Sequence, residues 1–316
     1  MITDRIDAIT DIRPTLEALM WPAPRSVKIE LTGKCNLACG YCARSQNLRD
    51  QQEMSRPLFQ RLANELAMSG VQELGLFYLG ESFMVSWLDW AVQFAKTVGF
   101  PYVFLTTNGT LAKPRKTEAI IRAGLDSLKF SLNYADADQF AEVANAPRAM
   151  FGKIIENIKA TKGIRDRVED ETSHRCGLYA SYIQYDGRQA GLMESLVDEV
   201  RPFLDEIYIL PLYSQADLTG QDEAERGWEV SAGNRGRVGA LRPPVPCWAV
   251  FTEGHITWDG KLSACCFDHD GRFEMGDLTS QGFMEAWNSE KFRELRATHL
   301  LGKIRGSVCE GCIAYG

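Results

Sequence analysis

Cys35, Cys39 and Cys42 put three thiols within eight residues, in the run Cys-Asn-Leu-Ala-Cys-Gly-Tyr-Cys. A loop this short wraps one metal centre. Three thiolates on a four-iron cluster leave one iron without a protein ligand, and an open iron can bind a substrate or cofactor. The same three thiols with a remote fourth ligand would make a zinc site instead. Spacing alone leaves both readings open.

A second set lies near the C-terminus: Cys247, Cys265 and the pair in Cys309-Glu-Gly-Cys312. Four thiols close every position of a second cluster, or of a structural zinc ion. Gly260-Lys-Leu-Ser-Ala-Cys265 is a Gly-x4-Cys element, and Cys266 stands beside it as a rival ligand. The period of a hairpin sends the two side chains to opposite faces, so Cys265 is expected to serve and Cys266 to pack as a small apolar residue. Cys176 stands alone before a strand and reads as a buried thiol. The four histidines, His174, His255, His269 and His299, form no ligand spacing. His269 beside Asp268 reads as a surface pair, and Tyr185 and Tyr213 end strands where a substrate would sit.

The chain has 316 residues, 45% of them hydrophobic, with a net charge of −7. That supports one large domain and a small one. No Lys/Arg run is long enough to follow a phosphate backbone, which argues against polymeric nucleic acid. No apolar stretch reaches the length of a membrane span. Met1 to Arg13 lacks the apolar core of a secretory signal, so the expected location is the cytoplasm. In a reducing cytosol nine cysteines, an odd number, do not read as disulfides, and seven of them fall in three short groups.

The elements that must position these thiols follow an alternating pattern. Strands are predicted at Ser26–Thr32, Glu73–Leu79, Tyr102–Thr107, Ser127–Leu132, Gly177–Tyr185 and Glu206–Tyr213. Helices fit between them: Ser55 caps the first, Pro57 sits in its first turn and Gly70 stops it. Others fit Trp87–Val98, Pro114–Ala123, Ala135–Ala144, Ile154–Lys162 and Leu192–Val200. Alternating units imply an α/β fold with a parallel sheet, either an open doubly wound sheet or a partial barrel, with its site at the C-terminal strand ends. Cys35, Gly80-Glu81, Asn108-Gly109 and Asn133 follow the first four strands in turn. The pattern stops over 215–246, a polar stretch ending in Pro243-Pro244-Val245-Pro246, which reads as a cover or bridge. Phe251–Trp258 and Lys261–Cys266 flank Asp259-Gly260, a hairpin signal, and one helix is predicted from about Phe283 to Leu300. The expected divisions are an extension over 1–24, a barrel over 25–214, the cover over 215–246 and a cysteine-bearing domain over 247–316.

The Cys-x3-Cys-x2-Cys triplet, with Tyr41 before its last cysteine and a strand before its first, resembles the radical S-adenosylmethionine (SAM) superfamily. The resemblance implies a partial (β/α)6 TIM-type barrel over about Val27 to Tyr213. It also implies a [4Fe–4S] cluster on Cys35, Cys39 and Cys42 whose open iron chelates SAM, and a 5′-deoxyadenosyl radical that abstracts hydrogen from an unactivated C–H bond. Leu79-Gly80-Glu81-Ser82 resembles the family's Gly-Gly-Glu-Pro segment at Gly80 and Glu81, which implies contacts to the methionine amino group. Asn108, Ser131 and Asn133 resemble the strand ends that contact the ribose and carboxylate, with Tyr41 also among the SAM-binding positions. Cys247, Cys265, Cys309 and Cys312 resemble the twitch domain, a shortened SPASM domain. That implies a small C-terminal α+β unit holding a second [4Fe–4S] cluster.

The C-terminal spacing resembles 2-deoxy-scyllo-inosamine dehydrogenases, which implies an oxidoreductase. The leading expectation is therefore hydrogen abstraction from a small sugar- or cyclitol-like substrate. Oxidation would pass through the second cluster, with flavodoxin or ferredoxin as reductant. A peptide-modifying maturase is the alternative; only about 25 residues precede the first strand, fewer than a winged-helix recognition module needs. A redox-neutral epimerase or isomerase, and a zinc-stabilised scaffold, complete the alternatives.

Overall fold

The computed structural model describes every residue except 11–19, 185–186, 220–224, 226, 229–245 and 313–316. Six strands run parallel: β1 (Ser26–Ile29), β2 (Glu73–Gly75), β3 (Tyr102–Thr107), β4 (Ser127–Ser131), β5 (Gly177–Gln184) and β6 (Glu206–Pro211). They pair in chain order, but β6 does not return to β1, so the barrel is partial. Instead β7 (Glu253–Ile256) pairs in parallel with β1, from Ser26↔Glu253 to Ile29↔Ile256. The expected hairpin then forms, as β8 (Lys261–Ser263) runs antiparallel to β7, and β9 (Glu274–Asp277) follows it. The cysteine-bearing segment thus extends the barrel's own sheet.

The crossover helices cover the outside. In α2 (Arg56–Met68) Ser55 accepts the Leu58 N–H and Pro57 takes an early position whose N–H would have no partner. Phe59, Leu62 and Leu66 recur three and four residues apart and are fully buried against the sheet. Gly70, at φ +90°, ends the helix in a conformation that disfavours side chains. α3 (Leu88–Thr97), α4 (Pro114–Arg122), α5 (Ala137–Ala144) and α7 (Gly187–Val200) lie within a few residues of expectation.

Other elements depart from it. α6 (Ala149–Thr172) is far longer than the Ile154–Lys162 stretch, because its buried stripe runs on through Ile164 and Val168 and includes the polar Thr161 and Arg165. The helix expected over Phe283–Leu300 is two, α8 (Phe283–Trp287) and α9 (Glu290–Leu300). Asn288 breaks it by bonding both backbone groups of Trp21, and Ser289 caps the second piece. α1 (Ile2–Thr10), unforeseen, lies across the N-terminal strand ends, where Glu206 accepts the Ile2 N–H at 2.9 Å and Arg5 pairs with Glu73. Among the described residues no helix is long and apolar enough to cross a membrane.

Candidate active site

The triplet loop leaves β1 and folds back on it, with Gly33 N–H donating to the Gln52 carbonyl and Met54 N–H to that of Leu31. A tight turn joins the last two cysteines: Cys42 N–H donates to the Cys39 carbonyl at 3.0 Å, and so does the Ser45 hydroxyl at 3.1 Å. Arg44 donates to the Leu37 carbonyl and to Gln51, which sets a positive charge inside the loop. Two N–H groups of the loop, Ala38 and Gly40, donate to the end of α5. Gly80 is pressed against the start of the loop. A Cβ there would lie 2.0 Å from the Thr32 oxygen, so any side chain would force the loop away.

The strand ends supply the polar partners. Asn133 donates to the Tyr41 hydroxyl at 2.7 Å, and the Tyr134 hydroxyl meets Cys39 Sγ at 2.8 Å. Asn108 lies 3.8 Å from Cys35 Sγ and donates to Asn36 at 3.0 Å, while its oxygen accepts from Thr110. Ser131 is half-buried at the end of β4. Glu81 is buried and spends both oxygens on the protein: the Phe83 N–H, the Thr107 hydroxyl and the Asn108 N–H all donate to it. It therefore fastens the end of β2 to the end of β3. Its burial raises its pKa against those bonds. Sequence reasoning missed Asn36, Arg44, Thr110 and Tyr134. Only Tyr134, next to Asn133 at a strand end, carried a positional signal.

Burial pushes the Cys35 thiol up to about 11, with the nearby Glu81 charge adding to it. It pushes Cys42 up to about 12, and it raises Cys39 against its bonds from Tyr134 and Tyr41. Three half-buried thiols with pKa values raised this way ionise together only when a cation compensates them. Among the described residues no three Cys, His, Asp or Glu side chains converge as one metal ion requires. A four-iron cluster takes its thiolates at separate corners, and three thiols on one loop fit three of them.

The second set lines an apolar cavity with Val250, Phe273 and His299. All five cysteines of the region reach it: Cys247, Cys265, Cys266, Cys309 and Cys312. The expected division of Cys265 and Cys266 onto opposite faces does not arise, because β8 ends at Ser263 and the alternation ends with it. The two still differ, since Cys266 also lines the barrel-side cavity and Cys265 does not. His299, which showed no ligand spacing, bridges two of the set: it accepts the Cys247 N–H at Nδ1 and its Nε2 lies 3.3 Å from Cys309 Sγ. Asp268 and His269 are buried, not a surface pair, and burial holds His269 down to about 3. The Asp268 carboxylate accepts the Phe273 N–H, which folds the loop inward. Cys176 is buried as expected.

Between the two sets lies a cavity of about 280 Å³. Tyr41 of the triplet loop and Cys266-Phe267 of the C-terminal loop both line it, with Lys28, Lys129 and Trp248. Tyr213 lines it and packs on Phe267, with ring centres 5.7 Å apart. Tyr185 lies outside the described residues, as does most of the 215–246 stretch read as a cover. Tyr78 joins the two regions: its hydroxyl donates to the Cys265 carbonyl and accepts the Asp268 N–H.

The Radical SAM superfamily profile matches residues 29–172, and that of an iron–sulfur cluster-binding domain, SPASM, matches 247–313. The chain belongs to the radical SAM superfamily. The cofactors of that superfamily are SAM and a [4Fe–4S] cluster, and the SPASM region is an iron–sulfur cluster-binding domain. Among named relatives, it is 31% identical over 140 residues to GTP 3′,8-cyclase of Chlorobaculum tepidum, covering 44% of this chain and 42% of the cyclase. The chain thus spans less than half of that relative. It is 27% identical over 320 residues to mycofactocin maturase MftC of Mycobacterium ulcerans, covering 93% of this chain and 81% of the maturase.

Solved structures share the fold. BtrN in complex with AdoMet and 2-DOIA superposes with a TM-score of 0.60 at 14% identity, over 94% of each chain. SuiB of Streptococcus suis bound to precursor peptide SuiA gives 0.64 at 14% identity, over 87% of this chain and 67% of that one.

Proposed function

We propose that this radical SAM enzyme modifies a side chain of a peptide substrate. Cys35, Cys39 and Cys42 would hold the catalytic [4Fe–4S] cluster, and Cys247, Cys265, Cys309 and Cys312 a second. The observation that carries this reading is the cavity bounded by Tyr41 on one side and Cys266-Phe267 on the other. A substrate lying there would sit between the loop that carries Tyr41 and the loop that carries Cys266.

When bound, the cluster and SAM supply a radical able to abstract hydrogen. The chain's own residues do the rest. Tyr134 and Asn133 hold the cysteine loop from one side, and Asn108 from the other. Asn108, Ser131 and Asn133 are the proposed SAM contacts, with Tyr41; Gly80 admits the loop and Glu81 orients the Asn108 backbone. Phe77, Tyr213, Trp248 and Phe267 exclude water from the cavity. Cys265, away from the barrel cavity, is the proposed ligand, and Cys266 faces substrate. A flavodoxin or ferredoxin is the proposed electron donor.

The peptide reading is preferred to the sugar or cyclitol for two reasons. One relative similar along most of both chains is named a maturase. The cavity walls are largely aromatic and aliphatic, whereas a polyol needs an array of carboxylates and amides to satisfy its hydroxyls. The test is anaerobic incubation with SAM, dithionite and peptides encoded beside the gene, reading 5′-deoxyadenosine and peptide mass together. A mass change matched by 5′-deoxyadenosine is expected. Turnover of a cyclitol with every peptide unaltered would sink the reading.

A further inference from the structure

Three cations project into the barrel, and two of them are matched. Arg5 on α1 pairs with Glu73. Lys28 on β1 pairs with Glu253 on β7, which also bonds His255 at 2.8 Å. Lys129 on β4 is the third. Among the described residues no carboxylate lies within ion-pairing distance of it and no acceptor bonds its ammonium, which sits 5.7 Å from the centre of the Tyr208 ring.

Lys129 stands where two lobes of space meet. The upper lobe, about 280 Å³, reaches Tyr41 and Cys266; the lower, about 170 Å³, rests on α1. Both are lined by Lys28, Lys129, Phe77, Tyr213 and Trp248. An unmatched ammonium inside such a cavity is costly, and an anion entering it would offset that cost.

We propose that Lys129 is an anion-binding residue of the substrate cavity, and that the substrate presents to it a carboxylate borne next to an aromatic or apolar group. The charge count selects a single negative charge. Lys28 and Arg5 are already neutralised, so a phosphate dianion would leave one charge uncompensated. The aromatic walls select the apolar neighbour.

A second consequence concerns protons. Burial holds Lys129 down to about 7, the Lys28 and Arg5 charges add to that, and Glu253 opposes it. The other titratable groups around the two lobes are Glu73, His255, the Cys266 thiol and the hydroxyls of Tyr41, Tyr78, Tyr208 and Tyr213. A bound carboxylate favours the charged ammonium, so binding takes up a proton above neutral pH and weakens as pH rises.

The proposal rests on reading this cavity as the substrate site, yet it can fail separately. The probe is N-acetyl-L-phenylalanine, with its amide as control, titrated calorimetrically into full-length reconstituted holoenzyme. The acid is expected to bind about tenfold tighter than the amide, and about tenfold tighter at pH 6.5 than at pH 8.5. Lys129→Met should abolish the preference for the acid and Lys129→Arg should keep it, each with unchanged iron content. Equal binding of acid and amide, an unchanged preference in Lys129→Met, or no saturable binding by about 20 mM would overturn the proposal. Failure of the peptide reading instead leaves the acid preference intact while no peptide is altered.

Discussion

The two cysteine sets are built in opposite ways. The first comes from eight consecutive residues and is surrounded by polar groups: Asn108, Asn133, Tyr134 and the Arg44 guanidinium. The second is gathered from three separate segments into an apolar cavity, where His299 touches the Cys309 sulfur. Polar groups beside thiols suit a centre that must also hold a charged cofactor. An apolar enclosure suits a centre whose positions are all taken by protein. The first set is contributed by one short loop, whereas the second is brought together only by the fold.

The largest expected effect tests that division directly. Cys39→Ala should reduce 5′-deoxyadenosine formation by about a thousandfold or more while iron falls from about eight to about four per chain. Loss of all iron would show that the sets are not independent. Cys312→Ala should also leave about four irons, but with the reverse outcome: 5′-deoxyadenosine still forms within about tenfold, while peptide modification is lost. Its melting temperature should fall by several degrees, because this set ties distant segments together. Equal damage to both products would erase the distinction.

A smaller effect isolates the hydrogen bond to sulfur. The Cys247 N–H donates to His299 Nδ1, so Nε2 carries the proton and donates to Cys309 Sγ. Withdrawing charge from that thiolate stabilises a reduced cluster. His299→Phe should therefore lower the midpoint potential of the second cluster by about 60 mV, read by EPR-monitored redox titration, and leave the first cluster's potential unchanged. Tyr134→Phe is the counterpart in the polar set and should cost about 1 kcal/mol of stability with a severalfold rise in the KM for SAM.

A last effect lies between the sets. Burial holds Lys129 near pH 7, so above that pH the unfolded chain keeps a proton that the folded chain has lost. Stability should therefore rise from about pH 7 to pH 9, and Lys129→Met should flatten that rise in denaturant titrations across the range.

Much of the first set was legible because its signal is local. Cys35, Cys39 and Cys42 lie in the one loop that follows β1, and Asn108 and Asn133 just past the ends of β3 and β4, where period and spacing can place them. Glu81 was legible in position but not in partners. Its carboxylate is spent on Phe83, Thr107 and Asn108, which depends on how the end of β3 approaches that of β2. The strand–helix order followed from β-branched runs and caps. β9 escaped because Glu-Met-Gly-Asp has no strand-like composition and is ordered by its partner β8. His269 misled because a His beside an Asp looks solvated until the Phe273 N–H folds the loop inward.

The parallel pairing of β7 with β1 has a practical side. With β7 in place, every strand-edge group of Ser26–Ile29 faces a neighbour. A chain cut before Cys247 would bare that edge, and with it Val27 and Ile29, and invite strand-to-strand aggregation. Attempts to express the barrel by itself should therefore yield insoluble material, even though every residue of the Cys35–Cys42 loop is retained.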